Sequence, residues 1–580
     1  MKPLNFNNRK TIISLKNNEL INQNVDIVGW VKNVRKLGNF NFIELADKSG
    51  LIQLFDKNNE YANLSREDLI YVHGKLQLKK NANNNIELGD REVLIDSIDL
   101  ISKSKTPPFI LEDKTDALED VRLKYRYLDL RRPILQKNLK LRSDFFYHVR
   151  SFLISEEFTE IETPILSKTT PEGARDYVVP SRSGANMFYA LPQSPQIYKQ
   201  LLMISGFEKY FQIARVFRDE DLRKDRQPEH TQIDMEVSFM NVEQFFDLIE
   251  RMFIYVFDKL LNVKLQPKFL RMKYDDAMNR YGTDKPDIRF GCLINNVSEI
   301  FKNHEFAVFK NFAAKNHLKA IVLDEIMISS KEHKILEKYA KDNQAKALSW
   351  ISFDNNQVVD GSIKRFISND DLKALGLTDK KGTIFFVGDD DLDVVNKSLG
   401  AVRNQLNELY QLADDNEYKF LWIVDWPLYE WDDKEQKYVS AHNLFTSPDA
   451  SCLNNFNEDK KNAKASSYDL VLNGFELASG AIRITNPELQ EEVMKSLGLS
   501  KQEAYDKFGF LLEAYHYGAP QHCGIGLGAD RILMIITKSK SIRDIIAFPK
   551  NNQGFDLMSN APSAAIDDKF LDELHLSIKK

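Results

Sequence analysis

The 580-residue sequence contains only three cysteines, and their low, odd number argues against a disulfide framework and against a zinc cluster. Long apolar runs are also missing. No stretch approaches the roughly 18 apolar residues that cross a bilayer, and residues 1–10 lack the apolar segment of a signal peptide. We therefore expect a cytoplasmic protein with no membrane partner.

An excess of basic charge is absent as well. The net charge of −6 and the 28% of charged residues describe an ordinary globular protein rather than a chain that coats nucleic acid. A local basic face can still bind RNA, and residues 1–105 carry more Lys and Arg than Asp and Glu. The length predicts roughly three or four domains.

A long charged stretch, residues 217–234, separates the apolar runs 210–216 and 235–240. This pattern predicts two core strands joined by a polar loop. Bidentate guanidinium forks can bind phosphate, and the arginines of the loop are Arg218, Arg223 and Arg226. A solvated hairpin tip gives a similar pattern. Because Arg218 and Glu220 adjoin an apolar run, where an unpaired charge is costly, we interpret the stretch as an anion-binding site.

Short apolar segments separated by turn residues predict a small barrel of the OB type in residues 1–105. The predicted strands are 25–34, 41–45, 51–55, 69–78 and 93–98. Such barrels bind single-stranded nucleic acid through stacked aromatic rings and a basic groove. Side chains that could form this face are Arg35, Phe42, Gln53, Lys79 and Glu92. Phe42 could equally belong to the barrel core.

Changes of character along the chain predict further segments. Residues 286–417 have their own apolar runs and few motif-like polar loops, which indicates an inserted α+β domain. The insertion divides a core domain into the parts 134–285 and 418–550. A linker at 106–133 and a C-terminal extension at 551–580 complete the chain. Helices are predicted at 119–132 and 134–157, the second from its amphipathic spacing.

Two further segments carry candidate ligands. Asp469 and Glu476 lie at the two ends of a predicted apolar strand, where carboxylates can hold Mg²⁺. Arg531 opens a predicted apolar helix at 532–536 and follows glycines at alternate positions, which are Gly524, Gly526 and Gly528. Such glycines allow a flat ring or a phosphate to approach the backbone closely.

Three elements in this order resemble the motifs of the class II aminoacyl-tRNA synthetases. They are residues 158–164, which resemble the dimer-interface motif ending in proline, residues 217–220 and residues 526–531. Together with the barrel, they narrow the resemblance to the aspartate, asparagine and lysine group. Segments 171–176, 193–196 and 226–229, with the insertion, are similar to bacterial-type aspartyl-tRNA synthetases. The resemblance implies a homodimer with an antiparallel catalytic sheet.

The resemblance also implies a role for each matching position. Those implied for ATP are Arg218, Glu220, Gln227, Glu476 and Arg531, with Arg218, Glu220 and Arg531 taking part in catalysis. Those implied for aspartate are Glu172, Ser194, Gln196, Lys199, Gln232, Asp234, His442 and Arg483. Asp469 and Glu476 would hold Mg²⁺. The anticodon would meet Arg35, Phe42, Gln53 and Glu92, and the tRNA acceptor end Arg223, Lys224 and Arg226.

The implied activity is that of an aspartate–tRNA ligase. The enzyme would convert L-aspartate and ATP to aspartyl-adenylate and transfer the aspartate to the 3′ end of tRNA(Asp), releasing AMP and pyrophosphate. Charging of both tRNA(Asp) and tRNA(Asn) is an open alternative. A non-catalytic RNA-binding paralogue is a second, against which Arg218, Arg531, Asp469 and Glu476 argue. Lysine or asparagine specificity and an amino-acid:ammonia ligase are further alternatives.

Overall fold

A computed structural model gives the fold and describes residues 6–84, 86–169, 173–563 and 567–579. By compactness the chain forms two units. The first contains the chain up to Lys140 together with Ile546–Ser563, and the second contains Leu141–Ile545 and the C-terminal residues. The finer domain boundaries predicted from the sequence stay predictions. No helix in the described ranges is both long and apolar enough to cross a membrane.

The first unit is built on a closed barrel. Its strands are β1 (Arg9–Lys10), β2 (Asn24–Leu37), β3 (Phe40–Asp47), β4 (Gly50–Asp56), β5 (Leu69–Leu78) and β6 (Arg91–Ser102). The hydrogen-bonded order is β1-β2-β3-β4-β6-β5, and β5 pairs back onto β2. Val25, Ile27 and Val31 alternate into the barrel core, as a half-buried strand requires. This closure confirms the predicted OB barrel.

Helices α1 (Glu119–Lys124) and α2 (Arg126–Asp129) follow the barrel, close to the predicted helical stretch. A fully buried carboxylate organises them. Asp129 accepts hydrogen bonds from Arg126 at 2.6 Å and from Arg132 at 2.9 Å. The Arg126 guanidinium also donates to the carbonyl oxygens of Ile546 and Ala547, at 2.9 Å each. This contact explains why Ile546–Ser563 groups with the first unit.

The second unit contains most of the long helix α3 (Pro133–Ser155), which was predicted at 134–157. The following strands are β7 (Thr159–Glu160), β8 (Val178–Pro180), β9 (Phe188–Ala190), β10 (Lys209–Phe217), β11 (Glu229–Ser238) and β12 (Leu270–Lys273). The helices among them are α4 (Gln196–Ile204), α5 (Val242–Leu261) and α6 (Tyr274–Tyr281).

A five-stranded sheet with order β13-β14-β17-β15-β16 lies inside the segment predicted as an insertion. Its strands are β13 (Ile294–Asn296), β14 (Leu318–Asp324), β15 (Ser349–Asp354), β16 (Gln357–Gly361) and β17 (Lys381–Gly388). The accompanying helices are α7 (Ser298–Phe301), α8 (Ala307–Ala314), α9 (Ser330–Asp342), α10 (Asn369–Ala374) and α11 (Leu392–Tyr410). Apolar cores lie against this sheet, so the segment has the α+β character expected from its own apolar runs.

The chain then returns to the main sheet. The strands after the insertion are β18 (Phe420–Val424), β19 (Trp426–Pro427), β20 (Tyr429–Asp432), β21 (Lys437–Ser440), β22 (Lys464–Ala465), β23 (Ser467–Leu472), β24 (Phe475–Ile482) and β25 (His522–Gly528). Of these, β19 pairs with β22 and β20 pairs with β21 in two-stranded sheets outside the main sheet. The helices are α12 (Pro487–Ser496), α13 (Lys501–Ala514), α14 (Ala529–Ile536) and α15 (Asp568–Glu573).

The main sheet has eight strands in the order β12-β18-β23-β24-β25-β11-β10-β7. Only the pairs β12–β18 and β7–β10 are parallel, so the predicted antiparallel character is confirmed for the centre of the sheet. The segment 158–164, which resembles the dimer-interface motif, contributes the short edge strand β7, and Pro164 lies beyond the end of this strand. Helix α5 covers one face, where Phe246 stacks on Trp422 with ring centroids 4.1 Å apart. The opposite face of the main sheet bears polar side chains.

Candidate active site

The uncovered face of the main sheet bears a cavity of about 600 Å³. The wall includes nearly all residues that the resemblance assigned to ATP and aspartate: Ser194, Gln196, Lys199, Arg218, Glu220, Gln227, Gln232, Asp234, His442, Glu476, Arg483 and Arg531. Asp469 is buried and is not part of the wall. Glu172 lies outside the described residues. The sequence therefore predicted residues that the fold brings together from distant segments.

The charged stretch forms the hairpin β10–β11, as predicted, but its second strand begins earlier than expected. Strand β11 starts at Glu229, whereas the apolar run starts at Met235. The reason is the period of two along a strand. Gln232 and Asp234 lie on the same face of β11 and both line the cavity, so polar residues interrupt the first half of the strand and it is not an apolar run.

Four buried charges form the floor of the cavity: Lys199, Asp234 and Arg483 line it, and Glu236, which does not, pairs with Lys199 and Arg483. Lys199 of α4 lies with its Nζ 2.8 Å from Asp234 Oδ1 and 3.1 Å from Glu236 Oε2. Arg483, directly after β24, donates from Nε to Glu236 Oε1 at 2.9 Å. Two cations and two carboxylates thus balance in charge, which makes their burial tolerable. Glu236 was missed by the sequence analysis, although it lies two residues beyond Asp234 on the same face of β11.

The two carboxylates of this floor differ in their electrostatic state. Burial opposes ionisation of Glu236, but the charges of Arg483 and Lys199 lower its pKa to about 2. Burial raises the pKa of Asp234 in spite of the charge of Lys199. Asp234 Oδ2 also accepts no hydrogen bond from any described residue. A buried acceptor in this state favours a ligand that brings a donor or a positive charge.

The glycines of β25 provide the space that these side chains occupy. A Cβ on Gly524 would lie 1.7 Å from Glu236 Oε2, and a Cβ on Gly526 would lie 2.0 Å from Gln232 Nε2. The nearest atom to a Cβ on Gly528 is 3.6 Å away. The sequence predicted that all three glycines admit a ligand, but the first two admit protein side chains. Open space above the strand is found only at Gly528.

Two arginines of the cavity wall, Arg218 and Arg531, each have a buried donor without a partner in the described part of the chain. In both residues this donor is the Nε atom. Arg531 Nη2 lies 3.2 Å from Asp225 Oδ2. The preceding residue, Asp530, accepts from Thr231 N at 2.9 Å and from the Arg142 guanidinium. The start of α14 is therefore fixed, which orients Arg531.

The loop between β10 and β11 divides its charges between the cavity and the solvent. Arg226 Nη1 donates to Glu220 Oε2 at 3.0 Å, and both residues line the cavity. Arg223 and Lys224, which the sequence analysis grouped with Arg226, are exposed. Of these three basic residues, only Arg223 and Lys224 are therefore exposed on the loop.

Two histidines of the cavity wall are held neutral. Burial and the charge of Arg218 lower the pKa of His230 to about 4. Burial lowers the pKa of His442 to about 4, although the charges of Glu476 and Asp284 oppose the shift. His442 Nε2 is a buried atom without a partner in the described part of the chain. Both rings are therefore uncharged at neutral pH and can act only as neutral donors or acceptors.

The carboxylates Asp469 and Glu476 lie on two strands, and the prediction that they mark the ends of one strand was wrong. Asn473 and Gly474 have positive φ, +51° and +86°, and form the tight turn between β23 and β24. Asn-Gly is a typical sequence for such a turn. Burial and the charge of Glu476 raise the pKa of Asp469 well above its usual range.

In the first unit, the predicted anticodon residues share the outer face of the barrel. Arg35 pairs in register with Phe42, and Gln53 pairs with Glu92. Gln53 Nε2 donates to Glu92 Oε2 at 2.8 Å. The Phe42 ring lies 5.4 Å from the ring of Phe55, so two aromatic rings stand next to this polar row. Phe42 is half-buried and is not part of the barrel core cluster.

Comparison with known proteins agrees with this geometry. Residues 118–552 match the family described as tRNA synthetases class II (D, K and N), and residues 25–101 match the OB-fold nucleic acid binding domain. An aspartate–tRNA ligase of Ureaplasma parvum is 47% identical over 572 residues, covering 97% of this chain and 98% of that protein. An aspartate–tRNA(Asp/Asn) ligase of Caldanaerobacter subterraneus is 44% identical and covers 96% of both. The solved aspartyl tRNA synthetase of Entamoeba histolytica has a TM-score of 0.57 at 19% identity, covering 94% of this chain and 91% of that one.

Proposed function

The chain belongs to the class II tRNA synthetases of the D, K and N group, and from this premise we propose how its residues carry out the reaction. The activity is that of an aspartate–tRNA ligase. The α-carboxylate of aspartate attacks the α-phosphorus of ATP, pyrophosphate leaves, and the resulting adenylate donates its aspartyl group to a ribose hydroxyl of tRNA. The reaction needs no protein nucleophile, so the residues act by positioning and by electrostatic stabilisation.

We assign the floor of the cavity to aspartate. Lys199 and Arg483 are the buried cations that can bind the side-chain carboxylate of the substrate. Asp234, with its unpaired Oδ2, can accept the α-ammonium group. Ser194, Gln196 and Gln232 line the same end, and Glu172 and His442 complete the proposed set. The residues provide opposite charges for the two ends of one amino acid.

We assign the arginine end of the cavity to ATP. Arg218 and Arg531 provide buried donors for phosphate oxygens, and the charge that develops on those oxygens during attack strengthens both contacts. Glu220 and Gln227 line the wall beside Arg218 and are proposed for the nucleotide. Arg218, Glu220 and Arg531 are the residues that we propose to be catalytic. The exposed Arg223 and Lys224 are left for the acceptor end of tRNA.

Asp469 and Glu476 are suitable ligands for Mg²⁺. Asp469 Oδ1 is a buried oxygen with no partner within the described ranges, and burial together with the neighbouring carboxylate of Glu476 raises the pKa of Asp469. Two carboxylates on neighbouring strands offer the oxygen ligands that a hard divalent cation prefers. Mg²⁺ would screen the charge of the ATP phosphates when bound there. The protein's part is to hold both carboxylates at the edge of the nucleotide site.

The proposed specificity for aspartate rests on one observation, the buried cluster of Lys199, Arg483, Asp234 and Glu236. A neutral amide in place of the substrate carboxylate would leave the cations without charge-assisted bonds. We expect ATP–pyrophosphate exchange with aspartate to exceed that with asparagine or lysine by about 10³-fold or more. Exchange assays with the three amino acids test this. A larger rate with asparagine or lysine would contradict the assignment.

We further propose that tRNA(Asp) is the RNA partner, with tRNA(Asn) as the alternative. One similar protein is named for both tRNAs, and others only for the aspartate reaction. Charging assays with purified tRNA(Asp) and tRNA(Asn) separate the two possibilities.

The barrel face supports a role in reading the anticodon through Arg35, Phe42, Gln53 and Glu92. A base stacked on an aromatic ring contributes about 1–3 kcal/mol. Phe42→Ala should therefore raise the KM for tRNA by roughly 10–100-fold and leave ATP–pyrophosphate exchange unchanged. Steady-state charging and exchange assays measure both values. Phe6→Ala provides the matched control, because Phe6 is an exposed ring that contacts Tyr71 of the same unit. Equal losses in both variants would contradict the proposal.

We propose that two copies of the chain form a homodimer in the cytoplasm. Large exposed apolar side chains follow the edge strand β7 and occupy the paired strands β8 and β9: Ile165, Leu166, Val178, Phe188 and Tyr189. Ser167 and Ala190 exchange backbone hydrogen bonds, which brings these segments together. An exposed apolar patch of this kind is typical of a subunit interface. The free cysteines Cys292, Cys452 and Cys523 suit a reducing compartment.

A further inference from the structure

Lys285 is a positively charged residue at the proposed cation site that the sequence analysis did not select. It lies on the turn after helix α6. Its Nζ lies 3.2 Å from Glu476 Oε2 and 2.6 Å from Asp284 Oδ2. The ammonium group thus pairs with two carboxylates at once. The second carboxylate, Asp469, lies on β23, the strand that pairs with the Glu476 strand β24.

We propose that Lys285 is a positioning residue that serves as a tethered counter-cation for Glu476 and Asp469, and that a divalent cation displaces its ammonium group when ATP binds. The proposal rests on the cation role proposed above for the two carboxylates.

The physical reason is the repulsion between two carboxylates on neighbouring strands. Without a positive partner, the repulsion favours a proton on one of them or rotation of Glu476 away from Asp469. Lys285 supplies the positive charge and holds Glu476 at the site. The Lys285 side chain is 39% exposed. When a divalent cation binds to Glu476, the ammonium group can therefore move away from Glu476 and remain paired with Asp284 and water. ATP supplies the additional negative charge that favours this exchange, so the cation binds together with the nucleotide.

The turn that carries Lys285 is fixed against helix α11 of the inserted segment. Gly282 has a φ of +68°, and a Cβ at this position would lie 2.0 Å from the carbonyl oxygen of Asn396. A Cβ on Gly400 would lie 2.6 Å from the carbonyl oxygen of Gly282. The turn and the helix therefore touch backbone to backbone, which only glycines permit.

Arg403 of α11 holds the far end of the same segment. It is fully buried and donates to the carbonyl oxygens of Asp287 at 2.9 Å and Gly291 at 3.0 Å. Residues 282–291 are thus bound to α11 at both ends. Helix α11 of the inserted segment therefore contacts the turn that carries Lys285, and Lys285 contacts the proposed cation site.

Manganese binding to the full-length protein tests the proposal without an activity assay. Mn²⁺ titrations followed by electron paramagnetic resonance, in the absence of nucleotide, should show about tenfold tighter binding to Lys285→Met than to the wild type, because one nearby positive charge is removed. Lys285→Arg keeps the charge and should bind Mn²⁺ as the wild type does. With ATP present, the difference between wild type and Lys285→Met should shrink.

Two controls separate the possible failures. Lys315→Met removes an ion pair with Asp390, 2.6 Å long, elsewhere in the inserted segment and should leave Mn²⁺ affinity unchanged. Asp469→Asn should abolish the tight binding of Mn²⁺, both in the wild-type protein and in combination with Lys285→Met. Equal or weaker Mn²⁺ binding by Lys285→Met would overturn the role of Lys285. Tight binding that survives Asp469→Asn would instead overturn the cation assignment, and the proposal with it.

Discussion

Arg218→Met should lower the rate of ATP–pyrophosphate exchange by about 10³-fold while leaving the affinity for tRNA unchanged. Arg218 carries a buried Nε without a partner among the described residues, at the end of the cavity that we assign to phosphate. Methionine retains much of the apolar stem but cannot donate to the α-phosphate as negative charge develops on it. Because the contact is strongest in the transition state, the loss should fall mainly on kcat.

Arg223→Met is the matched control for this experiment, since Arg223 belongs to the same loop but is exposed. We expect this variant to exchange pyrophosphate at the wild-type rate and to show a weaker transfer of aspartate to tRNA. Filter binding of tRNA, exchange and single-turnover transfer distinguish the two variants. If Arg218→Met loses tRNA binding and exchange to the same extent, Arg218 does not have the proposed role.

Arg483→Gln should reduce aspartate-dependent exchange by about 10⁴-fold, mainly through the KM for aspartate. Arg483 is the only arginine in the floor of the cavity, and its guanidinium is shared between Glu236 and the proposed substrate carboxylate. Its removal also leaves Glu236 with Lys199 as its remaining cationic partner. Breaking a buried pair in this way costs about 3–5 kcal/mol of stability, so the variant should also unfold at a lower temperature.

Arg483→Lys separates binding from stability, because it keeps the positive charge but loses the planar fork. We expect it to unfold near the wild-type temperature and still to bind aspartate poorly. Arg251→Gln removes a surface arginine that pairs with Glu156 and Asp247, and it should change neither property. Thermal unfolding and exchange kinetics give both values. A wild-type KM for aspartate in Arg483→Gln would show that the substrate carboxylate binds elsewhere.

The barrel could be predicted because local patterns determine it. Inward residues such as Val25 and Ile27 alternate with outward ones, which is a signal of period two that needs no knowledge of distant segments. The loop with Arg218 was recognisable because charged residues next to an apolar strand are uncommon without a function. The residues assigned to ATP and aspartate followed from the family resemblance rather than from spacing.

The remaining features depend on contacts that distant parts of the chain make. Glu236 lies inside an apolar segment, and its importance comes from Arg483, which is 247 positions away in the sequence. Lys285 reaches Glu476 across 191 positions. A single sequence gives no signal for either pair. The turn at Asn473 and Gly474 is different, because the Asn-Gly pair is a local signal that divides the apolar run into two strands.

The close fit of Glu236 over Gly524 limits how this sequence can change during evolution. Any side chain at position 524 would collide with the Glu236 carboxylate, and a shorter residue at position 236 would leave Arg483 without its principal partner. A replacement at position 236, 483 or 524 therefore requires compensating replacements at the other two. We expect such joint replacements at positions 236, 483 and 524 in homologues that select a different amino acid. These three positions should therefore change together when the amino-acid specificity changes.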